Sequence, residues 1–366
     1  MSRWFPILLL ITCSFSCNKL RNWKYNPPNV LLISVEGLNR ALPCYGDTTF
    51  DTPNIDRLAM RSVVFEEALA QHPTSLLALT SIYTGWYPSL TEPFPGDKKY
   101  AHSLFPELEA ADYQILFPGV ESVQDSPYWA TQWVEQDDVE TPEKIGNSAV
   151  TEQVLTLWSK FENSAFFINA HYRMTTVGSG GSDASYQAAL SQVDREIGKL
   201  LDELMERQEA SNTIVVLVGL NPMGILQADS PAQLMPSFVK VPLLYYDFEA
   251  DSSRRVPHLT ELRSLFPTFA ERCVEGRKPH PCNAPSLQQM LDGSFRSIQY
   301  SALALSQGTY HTATYTSDYL LLPGPAKKRK LFRLSGLNAE QLNADTTFSD
   351  SLATMASRKY KLSTVD

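Results

Sequence analysis

Asn29-Val30-Leu31-Leu32-Ile33-Ser34-Val35-Glu36-Gly37, directly after Pro27-Pro28, is the stretch on which the fold turns. A continuous apolar run of strand length suits a strand buried on both faces of a parallel sheet. It stops at Glu36-Gly37, and ligands in open α/β sheets gather beyond the carboxyl ends of the strands. Glu36 is therefore a candidate site residue. Working outward, Thr52-Pro53-Asn54 opens a short helix with Pro in its first turn, and Ile55, Leu58 and Ala59 supply its apolar face. Val63-Val64-Phe65 reads as a short strand. Residues 73–85 read as a turn opening a helix that Gly85 closes.

The alternation continues with a helix over Leu104 to Ala111, a strand over Tyr113 to Phe117 and a buried strand over Ala165 to Ala170. From Tyr186 to Arg207 the apolar residues Ala189, Val193, Ile197, Leu200, Leu201 and Leu204 recur at helical spacing, and the strand Thr213 to Val218 follows. Such a pattern predicts one α/β domain, a doubly wound and mostly parallel sheet with flanking helices. The glycines and serines at 178–182 make a loop inside it. From about Arg296 the character changes: Tyr310 to Thr316, Tyr319 to Leu322 and Lys330 to Leu334 read as a small C-terminal antiparallel β subdomain. The Lys327-Lys328-Arg329-Lys330 cluster falls at a turn of this unit and reads as a solvated loop in preference to a ligand patch. The division expected is 1–17 signal peptide, 18–27 tether, 28–295 α/β domain and 296–366 C-terminal subdomain.

The chain has 366 residues, of which 43% are hydrophobic and 19% charged, enough for a sizeable core. Its formal charge of −9 repels phosphate backbones, so no nucleic-acid partner is expected. Met1-Ser2-Arg3 gives a short positive start, Phe5 to Thr12 an apolar stretch, and small residues and cysteines follow through Cys17. This reads as an export signal. Cys17, before Asn18-Lys19, is expected to be the acylated cysteine of a bacterial lipoprotein, with Cys13 as the competing position and a plain cleaved signal as the simpler alternative. The protein is thus expected to be exported to the bacterial cell envelope and held at a membrane by an N-terminal lipid anchor. Cys44, Cys273 and Cys282 then remain; Cys273 and Cys282 are the natural disulfide pair, enclosing Gly276, Pro279 and Pro281. Cys44 is left as a small buried hydrophobe.

The residues themselves resemble a family. Pro28 to Glu36, Cys44-Tyr45-Gly46, Thr52-Pro53-Asn54-Ile55-Asp56-Arg57-Leu58-Ala59 and Tyr83-Thr84-Gly85-Trp86-Tyr87-Pro88 are similar, in order and spacing, to the N-terminal third of sulfatases in the alkaline phosphatase superfamily. Val193-Asp194-Arg195-Glu196-Ile197, Asn212 to Val216, Val241-Pro242-Leu243 and Leu331 to Leu334 extend the likeness over nearly the whole mature chain. The resemblance implies cleavage of sulfate or phosphate esters with a divalent cation held by carboxylates at two strand ends.

The chemical positions depart from that pattern. The first strand end offers Glu36-Gly37 in place of an acid pair, and the second offers Leu220 and Asn221, then Pro222. The family's nucleophile position falls on Ser75, but Leu77, Ala78 and Leu79 replace the Pro, Ser and Arg of the motif. A family lysine falls on Val120 and a histidine on Thr176, leaving the upstream His171. Leucines where a dication and a dianion must sit are costly, because a desolvated charge without partners is expensive.

Sulfatase-type hydrolysis is therefore expected to be lost, no cofactor is expected, and the role becomes binding or assembly at the cell envelope, with an envelope glycan or protein as partner. The alternative is an active metal-dependent sulfuric or phosphoric ester hydrolase or transferase. Ser75 would be its nucleophile, His171 a further catalytic candidate, and Glu36 and Asn221 the ligands of a Ca2+ or Mn2+ ion. Each residue also has a plainer reading: Glu36 as a helix-end carboxylate, Ser75 as a helix N-cap, Asn221 as turn chemistry and His171 as a hydrogen-bonded core histidine. Asp194 and Arg195 read as the polar face of a long helix. Convergence of Glu36, Ser75, Asn221 and a further carboxylate such as Asp229 would favour the hydrolase; Leu77, Leu79 and Leu220 filling that space would favour the degenerate reading.

Overall fold

The first strand, β1 (Asn29–Glu36), is buried along its length except at Glu36, and its residues alternate between two cores. Val30 and Leu32 join one hydrophobic cluster, while Leu31, Ile33 and Val35 join another on the opposite face. Period-two alternation puts successive side chains on opposite faces, so an unbroken apolar run is what a two-sided sheet requires. The computed structural model describes residues 26–342 apart from 88–102, 120–145, 162–163, 175–182, 222–233, 249–252, 275, 277–281, 283, 295–300, 306–310, 317, 323–329 and 336–337, and also Thr354.

Strands β2 (Val63–Leu69), β3 (Gln114–Leu116), β4 (Phe166–Arg173), β5 (Thr213–Asn221), β6 (Leu243–Tyr246) and β7 (Arg255–Glu261) complete a seven-stranded sheet of order β3-β4-β1-β5-β6-β2-β7. All neighbours are parallel except at β6, which runs against β5 and β2. One face is covered by α1 (Pro53–Ala59), α4 (Asn147–Trp158) and α5 (Asp183–Glu206). The other carries α2 (Ser75–Thr84), α3 (Phe105–Ala110), α7 (Leu265–Cys273) and α8 (Leu287–Leu291), with the short α6 (Pro236–Val239) leading toward β6. This is the expected doubly wound, mostly parallel architecture.

The C-terminal unit is a five-stranded sheet of order β12-β11-β10-β9-β8, built from β8 (Ser301–Leu305), β9 (His311–Tyr315), β10 (Tyr319–Leu322), β11 (Lys330–Ser335) and β12 (Asn338–Leu342). Each of its pairings is antiparallel. Tyr315, Leu320, Leu322 and Phe332 pack on Leu69, Leu234, Val239 and Leu259 of the main domain, and the Tyr315 hydroxyl donates to the Leu234 carbonyl at 2.6 Å.

Two expectations need correction. The Cys273–Cys282 bridge is not formed: neither cysteine is in a disulfide. Cys273 ends α7 inside the core, its thiol is pushed up to about 12 by burial, and it hydrogen-bonds Tyr113 instead. Cys282 Sγ lies over Gly85, where an added Cβ would come within 2.9 Å of it. Asp194, in turn, is not a solvated helix-face residue. It is buried on α5 and its carboxylate accepts from the backbone N–H groups of Asn54 (3.1 Å) and Ile55 (2.8 Å) and from the Asn54 amide (2.9 Å). It thereby satisfies the free donors at the start of α1, whose own Thr52 makes no side-chain cap. Cys17, the signal stretch and the basic residues Lys327 to Arg329 lie outside the described residues.

Candidate active site

Three strand ends meet side by side at the carboxyl edge of the sheet. In register, Glu36 of β1 stands beside Arg173 of β4 on one side and Asn221 of β5 on the other. Gly37 then turns the chain away with φ +87°, a left-handed conformation in which a Cβ would also press within 3.1 Å of the Met174 side chain. Its N–H donates to both the Asn221 side-chain oxygen (2.9 Å) and the Asn221 carbonyl (3.0 Å). The oxygen through which Asn221 would serve a cation is therefore engaged in holding the turn.

Glu36 is engaged as well. Its Oε2 lies 3.6 Å from Arg173 Nε, so a guanidinium stands against the one carboxylate that these strand ends supply. Arg173 is fixed from behind by Asn147 at the start of α4, which donates to its carbonyl (2.8 Å) and accepts from its N–H (3.0 Å). His171 Nε2 is 3.9 Å from the same Glu36 oxygen. Burial, reinforced by the Arg173 charge, pushes the His171 ring down to about 3, so it is neutral at pH 7 and this contact is no ion pair. Ser34 donates to Asn169 Oδ1 at 2.8 Å, which leaves its oxygen to accept from His171 Nδ1 at 2.9 Å. Asn169 passes the chain on to the Tyr83 hydroxyl at 2.6 Å. His171 is thus locked by a buried polar file into a tautomer with Nε2 unprotonated.

Leu220 points the other way. It is fully buried in the same cluster as Leu79, which is 2% exposed, while Leu77 is half-buried. Burying Leu220 is worth roughly 1.5–3 kcal/mol of transfer free energy. A carboxylate there would forfeit that and add a desolvation penalty.

Ser75 occupies the first turn of α2 and is its first residue, not its cap; Thr74 stands at the cap and makes no side-chain bond. The Ser75 hydroxyl is buried and has no hydrogen-bond partner among the described residues. Eight residues of α2 climb ~12 Å from Tyr83 back to Ser75. Four residues of β4 climb ~13 Å from Asn169 to Arg173. Tyr83 and Asn169 touch, and α2 follows β2, whose carboxyl end lies at the same edge of the sheet. His72, just upstream, accepts from Thr74 N–H at 2.9 Å through Nδ1, and burial holds it near a pKa of about 3. Below this loop Arg263, fully buried, pairs with buried Glu261 at 2.9 Å and donates to the carbonyl of Gly85 at 3.2 Å. Its backbone N–H donates to the Gln71 side chain, so one ion pair clamps both ends of the α2 segment.

A divalent cation of the Ca2+ or Mn2+ type takes six or more hard oxygen ligands. The described donor set does not fit one: a single carboxylate already faced by a guanidinium and an asparagine oxygen that accepts from Gly37, with Leu220 turned into the core. Among the described residues no group of three or more His, Cys, Asp or Glu is placed to hold a metal ion. Val120, Thr176, Pro222 and Asp229 lie outside the described residues. Sequence reasoning had singled out Glu36, Ser75, His171 and Asn221. It missed Arg173, Asn147, His72 and the Arg263–Glu261 pair; the signal available for Arg173 was its place at the end of an apolar strand run.

A doubly wound, mostly parallel sheet with its candidate residues at the β1, β4 and β5 ends defines an α/β protein whose site lies at the carboxyl edge of the sheet. Solved structures share this fold. A protein in the alkaline phosphatase superfamily from Vibrio parahaemolyticus superposes with a TM-score of 0.69 at 14% identity, covering 94% of this chain and 90% of that one. Ps i-CgsB in complex with k-i-k-neocarrahexaose gives 0.71 at 17% identity, covering 92% and 93%. BT4656 in complex with its substrate D-glucosamine-2-N,6-O-disulfate gives 0.71 at 13% identity, covering 92% and 98%.

The sequence pattern of the family described as Sulfatase matches residues 28–272, and the chain belongs to that family. Among curated relatives, iduronate 2-sulfatase of Homo sapiens is 36% identical over 24% of this chain. N-acetylgalactosamine-6-O-sulfatase of Bacteroides thetaiotaomicron is 37% identical, again over 24%. These matches span only 16% and 18% of the relatives' own lengths.

Proposed function

We propose that this sulfatase-family protein is an exported, degenerate hydrolase that binds an anionic glycan at the cell envelope without cleaving it. The observation that carries the reading is the Glu36–Arg173 contact: the carboxylate at the end of the central strand is faced by a resident guanidinium. Arg173 brings a fixed positive charge without the bound water that a divalent ion would activate, so it can attract an anionic group but generates no nucleophile. The saccharides named with Ps i-CgsB and BT4656, the second of them a disulfate, support a sulfated sugar as the ligand class. The N-terminal signal and the acylated Cys17 belong to the same proposal, with the membrane as the second partner.

The buried Ser75 hydroxyl at the start of α2, without a hydrogen-bond partner among the described residues, is the observation that favours the hydrolase alternative. An aryl sulfate and aryl phosphate assay with and without Ca2+ or Mn2+, alongside calorimetric titration of both ions, separates the two. The expected result is no metal-dependent turnover and no tight ion binding, with a sulfated oligosaccharide still bound and weakened by Arg173→Ala. Metal-dependent turnover that Ser75→Ala abolishes would overturn the proposal. Palmitate labelling that persists in Cys17→Ala would remove the anchor from it.

A further inference from the structure

The opposite edge of the sheet carries a cavity of about 490 Å³, within the range of small-molecule sites. Its lining includes Val215 of β5, six residues before Asn221 and so ~20 Å from the strand-end site. The floor is apolar, from Leu58, Leu201, Leu204 and Val215, all 7% exposed or less. The rim is formed by the last turns of α1 and α5. Among the described residues the large hydrophobic side chains left exposed are Met60 (69%) and Met205 (51%), and both stand on this rim. Exposed methionines are flexible, polarizable walls that mould to an apolar guest.

The polar lining is cationic. Arg57 is already paired with Asp202 at 2.7 Å. Arg61 has only the Met205 sulfur, at 3.8 Å, and makes no ion pair with a described carboxylate. Among the described residues no Asp or Glu lines the cavity.

We propose that this cavity binds a single-chain anionic amphiphile, its aliphatic tail against the leucine floor and its carboxylate-type head on Arg61. Shape and charge agree: an apolar pocket flanked by exposed thioethers takes the tail, and a guanidinium at its mouth pairs with a carboxylate by charge-assisted hydrogen bonds. The site is independent of the strand-end reading, since no residue is shared. The carbonyl ends of α1 and α5 face the same edge, which makes a cationic amphiphile the rival guest.

Calorimetry of the full chain with decanoate, decanol and decyltrimethylammonium, each below its micellar concentration, tests this. One decanoate should bind at least about tenfold more tightly than decanol. Arg61→Gln should bring decanoate down to the decanol affinity and leave decanol unchanged, whereas Met60→Asp should weaken both. Both side chains concerned are exposed, so these variants keep the fold. No saturable decanoate binding, equal affinity for decanoate and decanol, tighter binding of the cationic amphiphile, or indifference to Arg61→Gln would each overturn the proposal, as would sedimentation with anionic vesicles without decanoate binding.

Discussion

A guanidinium with no exposed surface must find its counter-charge inside the protein, and Arg263 finds it in Glu261, itself fully buried and also bonded by the Tyr87 hydroxyl. The Tyr87 ring stacks on the guanidinium at 4.3 Å. Removing one partner strands a desolvated charge, so Arg263→Met alone should destabilise by about 3–5 kcal/mol, read as a lower urea midpoint at unchanged slope. Glu261→Leu combined with Arg263→Met should recover much of that loss; a double variant as unstable as the single one would show that the pair holds the α2 segment by its hydrogen bonds to Gln71 and Gly85 and not by charge balance alone. At this scale the sequence was a partial guide. Glu36, Ser75 and Asn221 were legible because strand ends and helix starts are legible. Arg173, Asp194 and Arg263 were not, because which charge meets which depends on chain crossings that composition and spacing do not encode.

Elements with one clear period were readable, and those without were not. β1, β5 and α5 announced themselves through apolar runs and helical recurrence. β7 and α7 did not: Arg255 to Glu261 mixes exposed and buried positions, and α7 carries Pro267 in its first turn, where no intrahelical N–H is needed. Cys273, read as one end of a stapled loop holding Gly276, Pro279 and Pro281, is the last residue of α7, a helix anchored by Phe266 and Phe269 in the core. The start of α1 shows how elements support one another. Asp194→Ala should lower stability by about 1–3 kcal/mol through loss of the cross-element cap, and Asp194→Asn, which keeps an acceptor, should lose less. Urea denaturation followed by far-ultraviolet dichroism checks both; equal losses would mean that the carboxylate charge, not its hydrogen bonding, sustains the cap.

For the molecule as a whole, the two-sided sheet followed from the sequence, but the reversed β6 and the docking of the C-terminal sheet on Leu69 and Leu259 emerged only from the structure. Global stability should also depend on pH in a definite sense. His72 and His171 both sit near a pKa of about 3 through burial, against about 6.5 in the unfolded chain. Below the unfolded value the unfolded state binds more protons, so stability is fully present above about pH 6.5 and drains away as pH falls toward 3. At pH 5 each ring should cost about 2 kcal/mol. His72→Asn, which keeps an acceptor for the Thr74 N–H, should remove about half of that slope in denaturation curves taken from pH 7 to pH 4.5.

The reversal of β6 has a practical corollary. Since this strand travels downward, the chain arrives at the carboxyl edge of the sheet through Val241 and Pro242 and ends β6 at the far pole with Tyr246, which lines the apolar cavity there. A Tyr246→Trp reporter would therefore read the cavity while standing a strand length away from Glu36 and Asn221.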